Sequence, residues 1–253
     1  MVDLRMNILE KNVDYFVISE STKTHQGDDK KLNFQIKNFR KYEKKIIYVV
    51  ADFDSKKGRL NHTGGESEIE KHQRNCISNG IKNASENDLI ILSDSDEIPD
   101  MDKINKIRKR TKFTAFSQEM FMYKLNLKNL NESNWIGSKI CLKKHLTSPQ
   151  KLRDLKFKKY PFWRIDKFNL QIIKGGWHFS FLQTPSNIIK KIKAYSHGEF
   201  NIEKNINEKS IQQKIKDNED IFDRGFSLKK IKIDNSFPDY IIKNQNILKE
   251  WIA

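Results

Sequence analysis

The stretch LIILSDSDEIP (residues 89–99) joins four apolar residues to three acids, Asp94, Asp96 and Glu97. The apolar run has the length and the unbroken hydrophobicity of a buried strand. The acids follow it almost at once, although carboxylates repel one another at short range. They therefore need a partner, which is either a bound cation or the backbone of a following turn and helix.

The first half of the chain alternates apolar strands with helical patterns. Strands are predicted over residues 13–21, 44–53 and 88–94. Helices are predicted over residues 31–42 and 66–85, with a polar, glycine-bearing loop at residues 56–66. Continuous apolar strands that alternate with helices are typical of a parallel sheet covered on both faces. The sequence therefore predicts an α/β fold with a Rossmann-type sheet.

After a helix predicted near residues 102–109 the pattern changes. Longer strands are predicted over residues 113–127 and 138–145, in mixed order. Helices are predicted over residues 185–196, 208–222 and 238–252. No internal repeat or low-complexity linker divides the chain. We therefore expect a mixed sheet with flanking helices in a single domain over residues 1–253.

The formal net charge of +15 comes mainly from lysine, since only nine of the 48 basic residues are arginine. Proteins that read nucleic acids favour arginine because its guanidinium makes bidentate contacts. The basic residues are also scattered along the sequence, as on solvated surfaces. We therefore expect no specific nucleic-acid partner, while attraction to another anionic partner stays open.

Two cysteines, Cys76 and Cys141, lie far apart and outside any metal-binding spacing. Buried free thiols in a reducing compartment are the simplest interpretation. No stretch approaches the ~20 apolar residues of a membrane span, and none resembles a secretion signal. We expect a cytoplasmic chain without a transmembrane segment, with peripheral membrane contact left open.

Asp94 and Asp96 are two positions apart, so in extended backbone both side chains project to one side. In open α/β sheets ligands bind where the strands end. Mg²⁺ or Mn²⁺ is held there by one or two carboxylates together with substrate phosphates. The pair is therefore a candidate metal–diphosphate site. The alternative is structural, because Asp and Ser are ordinary turn and N-cap residues ahead of a helix.

A second candidate cluster is GGWHFSFL (residues 175–182), which follows a predicted strand. Its glycines permit close backbone approach, Trp177 offers an apolar face to a sugar ring, and His178 is a candidate metal ligand or general base. The alternative is a core tryptophan beside a satisfied histidine in a tight turn. Further on, YSHGEF supplies His197 and Glu199, for which a surface turn is the alternative.

The sequence also contains VDYFVISES, KHQRNCISNGI, DLIILSDSDEIP, GGWHFSFL, KKIKAYSHGE and FPDYIIKN. In their order and rough spacing, from near residue 3 to about residue 245, these segments resemble glycosyltransferase family 17. SDSDEIP and GWHFS are specific when found together, whereas either alone is weak. The resemblance implies a GT-A-like fold, a nucleotide-sugar donor, a divalent metal and inversion at the anomeric carbon.

The resemblance and the chemistry of the residues together give each candidate residue an expected role. The residues expected to bind the metal, Mn²⁺ or Mg²⁺, are Asp94, Asp96 and His178, and the catalytic base is expected to be Glu97 or His178. The residues expected to contact the donor are Glu20, Arg74, Asn75, Ser93, Asp94 and Ser95. Those expected to contact the acceptor are Trp177, His197 and Glu199. The implied division is a nucleotide-sugar-binding half over residues 1–110 and an acceptor-side half over residues 111–253.

The implied reaction moves a sugar, N-acetylglucosamine, from a UDP-sugar to a hydroxyl of a saccharide or glycoconjugate. Family members begin with a further strand and, in eukaryotes, a membrane anchor. We therefore expect one strand to be missing or supplied differently, and an acceptor such as a bacterial or viral polysaccharide, lipid-linked sugar or glycoprotein. Three alternatives stay open: a nucleotidyltransferase acting on sugar phosphates, a basic nucleic-acid-binding protein, and a family member without activity.

Overall fold

The structure is a computed structural model that describes residues 1–53, 68–158, 160, 163–164, 167–194 and 202–253. Its strands, β1 to β9 in chain order, are Phe16–Ser21, Ile46–Ala51, Leu89–Leu92, Glu97–Ile98, Phe113–Met122, Leu127–Asn129, Trp135–Leu142, Leu170–Ser180 and Leu228–Lys230. Its α-helices, α1 to α6, are Val2–Leu9, Glu68–Gly80, Pro149–Asp154, Pro185–Ala194, Glu208–Lys216 and Asp239–Lys243.

Within these residues the strands form two sheets. β1 and β2 pair in parallel, from Phe16 opposite Ile46 to Ser21 opposite Ala51. The larger sheet is built around β5, which is antiparallel to β7 and parallel to β8. β3 extends this sheet beyond β7, β4 pairs with β8, and β6 and β9 continue from the C-terminal end of β5. The architecture is therefore mixed α/β, with a mostly antiparallel sheet and flanking helices.

The prediction of one parallel sheet through the first three strands is wrong. β3 pairs antiparallel with β7, Leu89 lying opposite Leu142, and so belongs to a different sheet from β1 and β2. Leu89 is 47% exposed, and only Leu92 of this strand is buried. An apolar run indicates a strand but not the direction of its partner, which comes much later in the chain.

Several predicted helices are shorter or tighter than expected. The one predicted over residues 31–42 is a 3-10 segment, Ile36–Lys45, with non-helical dihedral angles at Phe39. The helix after the acids is the 3-10 segment Met101–Lys106, and the C-terminal one is reduced to α6 and the turn Lys249–Trp251. Short helices depend on the packing of one face rather than on propensity. The loop predicted at residues 56–66 lies outside the described residues.

Two clusters of buried side chains hold the helices on the larger sheet. In the first, Phe121 packs on Phe179 and Phe237, with ring centroids 5.5 and 5.4 Å away, together with side chains of α1 and α6. The second joins the ends of β5 and β8 to α4 and α5 through Ile188 and Ile211. Apolar burial, worth about 25 cal/mol per Å², thus fixes α4 beside the end of β8. Among the described helices, none is both long and apolar enough to cross a bilayer.

The two cysteines differ in their surroundings. Both are free thiols; Cys141 is buried, as predicted, whereas Cys76 is only half-buried. Burial raises the pKa of both thiols, to about 11 for Cys141. Neither is therefore a thiolate at neutral pH.

Candidate functional site

Asp94 and Asp96 lie in the turn between β3 and β4, and Glu97 is the first residue of β4. The Glu97 N–H donates to the Asp94 carbonyl oxygen at 3.1 Å and closes this turn. The Phe179 N–H of β8 donates to the Asp96 carbonyl oxygen at 2.9 Å, and Glu97 lies opposite His178 in the β4–β8 pairing. The expected extended backbone is therefore wrong, and the turn directs Asp94 and Asp96 to different partners.

Arg153 of α3 links the first and last acids of the turn. Its guanidinium donates to Asp94 Oδ2 at 2.7 Å and to both carboxylate oxygens of Glu97 at 3.0 Å. Bonds between a guanidinium and carboxylates are charge-assisted and among the stronger ones in proteins. The turn is therefore stabilised by a cation that comes from a distant part of the sequence.

α3 is anchored at both ends. Ser148 Oγ accepts from the Lys151 N–H at 3.2 Å and caps the N-terminus. At the other end, the buried ammonium of Lys139 donates to the carbonyl oxygens of Arg153 and Leu155. Leaving a buried charge without such acceptors is costly, so Lys139 of β7 fixes the position from which Arg153 reaches the acids.

Glu97 is the most deeply buried of the three acids. Its side chain is 1% exposed, and besides Arg153 it accepts from Trp135 Nε1 at 2.9 Å and from the Asp94 N–H at 3.1 Å. Burial, followed by the negative charge of Asp94, raises the pKa of Glu97, while Arg153 and Trp135 oppose the shift. Both carboxylate oxygens are thus engaged by protein groups, as in a side chain that holds its neighbours in position.

Asp96 has a separate set of partners on β8 and α4. Its Oδ1 lies 3.6 Å from His178 Nε2, and its Oδ2 lies 3.3 Å from Lys191 Nζ. Burial disfavours the charged carboxylate, but Lys191 and His178 outweigh it and hold the pKa of Asp96 well below its usual range. Arg5 of α1 donates to the Glu97 carbonyl oxygen nearby. Burial lowers the pKa of Arg5 to about 10, so this side chain is still a cation at neutral pH.

His178 and Trp177 are neighbours in β8, so their side chains leave the strand on opposite faces. The His178 ring packs on Trp135 with centroids 4.7 Å apart. It is buried, and its Nδ1 has no hydrogen-bond partner in the described part of the chain. Trp177 belongs to the first apolar cluster and donates from Nε1 to the Ser236 carbonyl oxygen at 3.1 Å. Its surroundings are those of a core side chain, and its acceptor contact stays a prediction.

The paired glycines lie inside β8 rather than after a strand. Gly176 has a φ of +109°, and a Cβ there would lie 2.5 Å from the Ile98 carbonyl oxygen. Glycine alone combines this dihedral angle with such close approach. Gly176 therefore permits the β4–β8 pairing that sets Glu97 opposite His178.

Arg74 and Asn75 of α2 both contact α3. Buried Arg74 donates to Gln150 Oε1 at 2.6 Å and to Glu70 at 2.9 Å, and lies 3.5 Å from Asp94 Oδ1. Asn75 Oδ1 accepts from the Gln150 N–H at 3.1 Å. These contacts make the two residues part of the support behind the acid turn, and their expected donor contacts stay predictions.

Glu20, at the end of β1, is occupied by its own segment of chain. Its carboxylate accepts from Lys30 Nζ at 2.6 Å, from the Phe34 N–H at 2.9 Å and from the Tyr48 hydroxyl at 3.0 Å. Burial opposes ionisation, but the bonds from Lys30 and the backbone lower the pKa of Glu20. Burial and the carboxylate together raise the pKa of Tyr48 to about 12. None of these partners belongs to the acid turn.

The remaining candidates are spread over the chain. Ser93 donates from its hydroxyl to the Ser138 hydroxyl at 2.7 Å and ties the turn to β7. Ser95 is exposed within the turn. His197 and Glu199 lie outside the described residues.

Sequence reasoning missed the cations that surround the acids. Arg153 follows the pair Ser148-Pro149, which marks a helix start but not what the helix contacts. Lys191 borders the apolar stripe of α4, so the sequence could have predicted that it lies beside a buried surface. The sequence could not have predicted its contact with Asp96, because that contact depends on how α4 packs against β8.

The chemistry of these groups fits a divalent cation that is held mainly by substrate. Carboxylate oxygens suit Mg²⁺ and Mn²⁺. In the residues that the structure describes, no three His, Cys, Asp or Glu side chains are grouped so as to hold an ion. The three-ligand site expected at Asp94, Asp96 and His178 is therefore not formed in this part of the chain, and a cation bound by the two aspartates would take its other ligands from a diphosphate and water.

Comparison with known proteins agrees with the order of motifs. The model of the family described as Glycosyltransferase family 17 matches residues 1–231. Curated relatives from Homo sapiens and Rattus norvegicus are both named beta-1,4-mannosyl-glycoprotein 4-beta-N-acetylglucosaminyltransferase. Each is 23% identical over 223 residues, and the match covers 79% of this chain but only 42% and 41% of the two relatives.

This chain thus spans less than half the length of the relatives that it matches. No solved structure matches it at a significant level. The family match nevertheless runs through the acid turn, α2, α3 and β8, which are the elements that contact one another around Asp94 and Asp96. On this evidence the chain belongs to glycosyltransferase family 17.

Proposed function

We propose that this chain is a glycosyltransferase that moves N-acetylglucosamine from a UDP-sugar to a hydroxyl of a saccharide or glycoconjugate. Membership of the family and the names of the two relatives support the reaction class and the sugar. The observation that carries the proposal is the environment of Asp96. Its carboxylate is 15% exposed and is kept in its charged form beside Lys191 and His178.

In this proposal Asp96 and Asp94 would hold Mn²⁺ or Mg²⁺ together with substrate oxygens and water, and His178, the third ligand expected from the sequence, is not grouped with them as a metal site in the described residues. When bound there, the cation would supply positive charge to the donor diphosphate and to the leaving UDP. Lys191 offsets the charge of Asp96 from 3.3 Å. Its ammonium is therefore placed to share the phosphate oxygens once a donor enters.

Inversion in a single displacement requires a general base. As the acceptor oxygen attacks the anomeric carbon, its proton passes to the base and UDP leaves with the bonding electrons. Glu97 and His178 are both buried, but the Glu97 oxygens are engaged by Arg153 and Trp135. The Nδ1 of His178, by contrast, has no hydrogen-bond partner in the part of the chain described.

A buried nitrogen without a partner costs about 1–3 kcal/mol. A general base needs a nitrogen that is free to accept a proton from substrate, so a catalytic role would account for this cost. Of the two candidates, His178 is therefore our choice for the base, and Glu97 our choice for a positioning residue.

The other assignments complete the proposal. The proposal includes a GT-A-like fold, a donor-binding half over residues 1–110 and a cytoplasmic location. Glu20, Arg74 and Asn75 would shape the donor pocket from behind, because their polar atoms already bind other parts of the chain. His197 and Glu199 would contact the acceptor.

The test is a panel of nucleotide sugars, each titrated with and without Mn²⁺ and followed by thermal unfolding. A donor at 100 times its Kd stabilises the folded state by about 2.7 kcal/mol, which raises the Tm of a chain of this size by about 5–10 °C. One UDP-sugar should give this shift in the presence of Mn²⁺, and the Asp96→Asn variant should lose it. Asp102→Asn, an exposed acid in the neighbouring 3-10 segment, is the matched control and should keep it.

Product analysis with an acceptor mixture completes the test. Release of UDP agrees with glycosyl transfer, whereas release of pyrophosphate means nucleotidyl transfer. A chain that responds to no nucleotide sugar would contradict the proposal.

A further inference from the structure

A strongly basic segment lies at the far end of β5 and β8 from the acid turn. Residues 103–112 contain six basic residues and no acid. The exposed ones are Lys106, Arg108, Lys109, Arg110 and Lys112. Charges of one sign crowded together repel one another, so their placement favours an anionic partner.

This segment is fixed against the start of β8. The Asn169 carbonyl oxygen accepts from the N–H groups of Lys112 and Phe113 at 2.9 and 3.0 Å. The Arg108 guanidinium donates to the Leu170 carbonyl oxygen at 3.0 Å, and its N–H donates to Gln171 Oε1 at 2.9 Å. Two segments that are distant in sequence therefore form one surface.

The second segment adds exposed apolar side chains to this surface. Trp163 is 66% exposed, Phe168 is 59% exposed and Ile172 is 39% exposed. Large apolar side chains gain by leaving water, at about 25 cal/mol per Å². Phe168 and Ile172 flank residues 169–171, which contact the basic segment, so their exposed apolar area lies beside its charges, as in an interaction surface.

Another aromatic side chain of this segment, Tyr160, lies among further cations. The ring of Tyr160 lies 5.6 Å from Lys158 Nζ and 5.7 Å from both the Arg164 guanidinium and Lys167 Nζ. We call the described residues of 103–112 and 156–172 the basic aromatic face.

We propose that the basic aromatic face binds the surface of an anionic lipid bilayer. Lysine and arginine are attracted to anionic headgroups, while tryptophan and phenylalanine side chains enter the boundary between headgroups and acyl chains. A nucleic acid would use the same charges, but it gains nothing from exposed Ile172. The combination of charge and apolar area favours lipid.

The position of this face leaves the acids accessible. His178 lies eight residues beyond Leu170 in β8, which is a distance of about 26 Å along the strand at 3.3 Å per residue. A chain bound to a bilayer through this face would hold Asp96 well away from the headgroups.

Vesicle cosedimentation at low salt tests the proposal. The probes are vesicles of phosphatidylcholine alone and vesicles with equal parts of phosphatidylserine. The charge variant is Lys106→Ala/Lys109→Ala/Arg110→Ala. Its matched control removes three exposed lysines from α5 and β9, Lys209→Ala/Lys216→Ala/Lys230→Ala, so both variants have the same net charge.

The wild type and the control should bind the anionic vesicles, and neither should bind phosphatidylcholine alone. Each basic residue near such a surface is worth roughly 1 kcal/mol, so the charge variant should bind roughly 100-fold more weakly. Equal weakening in the charge variant and the control, or no preference for anionic vesicles, overturns the proposal.

The aromatic side chains have their own test. On anionic vesicles the tryptophan emission should shift to shorter wavelength, and Trp163→Phe should lose that shift while it stays folded. Trp163→Ser/Phe168→Ser should bind more weakly and become more sensitive to salt. The proposal fails if this variant binds vesicles as the wild type does and the charge variant loses binding to vesicles and to duplex DNA alike. The basic aromatic face would then be a general site for polyanions.

Discussion

Arg153→Met removes the cation that Asp94 and Glu97 share. The guanidinium makes bonds of 2.7 and 3.0 Å to these carboxylates, and Glu97 is almost fully buried. Removing one partner of a buried ion pair costs about 3–5 kcal/mol, because a charge is left uncompensated. Asp94 is 39% exposed and keeps its ion pair with Arg74, so losing its bond to Arg153 contributes little to the loss of stability. We expect a loss of about 3 kcal/mol in the free energy of unfolding at pH 8.

The loss should depend on pH. Burial already raises the pKa of Glu97 in the folded state, and losing Arg153 raises it further. A group with a raised folded pKa contributes stability that is present below its unfolded pKa and is lost as the pH rises through the folded value. A larger fraction of the variant therefore has Glu97 protonated at lower pH, and its loss of stability should be smaller at pH 5 than at pH 8.

Urea denaturation at pH 5 and pH 8 measures both values. Lys151→Met, an exposed position on α3, is the matched control and should stay within about 0.5 kcal/mol of the wild type. The double variant Arg153→Met/Glu97→Gln should recover about 2 kcal/mol at pH 8, because the buried charge is gone. Losses that are equal at both pH values and additive in the double variant would refute this account of the turn.

Two further predictions concern Gly176 and the cysteines. Gly176→Ala places a Cβ 2.5 Å from the Ile98 carbonyl oxygen at a φ of +109°, so urea denaturation should show a loss of about 3 kcal/mol or more. Gly225→Ala, with a φ of +77° and open space around it, is expected to lose only about 1 kcal/mol from strain; equal losses would show that the close approach of β4 to β8 does not matter. With iodoacetamide at pH 8, mass spectrometry should find the half-buried Cys76 alkylated before Cys141, which has a pKa of about 11; prior modification of Cys141 would contradict its burial in the native state.

Local patterns identified the elements better than their arrangement. The apolar runs predicted β1 and β2 to within a few residues of their ends, and the helix predicted over residues 185–196 contains α4. In each case the signal lies in adjacent residues, because periodicity reports which face is buried. The direction of β3 was not predictable, since its partner β7 begins more than forty residues later.

The candidate site shows the same limit. Asp94, Asp96 and Glu97 were predicted together because they adjoin in sequence, and β8 does bring His178 to them. Their division into two sets was not predicted. It arises from a hydrogen-bonded turn and from cations on α3 and α4, which no local pattern reports.

The alternation of faces along β8 also limits how this family can vary in length. His178 faces the acids because Trp177 and Phe179 enter the first apolar cluster on the other face. A single residue inserted or deleted between Gly176 and Phe179 would exchange the two faces. The His178 imidazole would then lie in the first apolar cluster, and the ring of Trp177 or Phe179 would lie against the carboxylates of the acid turn. Insertions in relatives are therefore expected after Leu182, where the strand has ended and the chain turns towards α4.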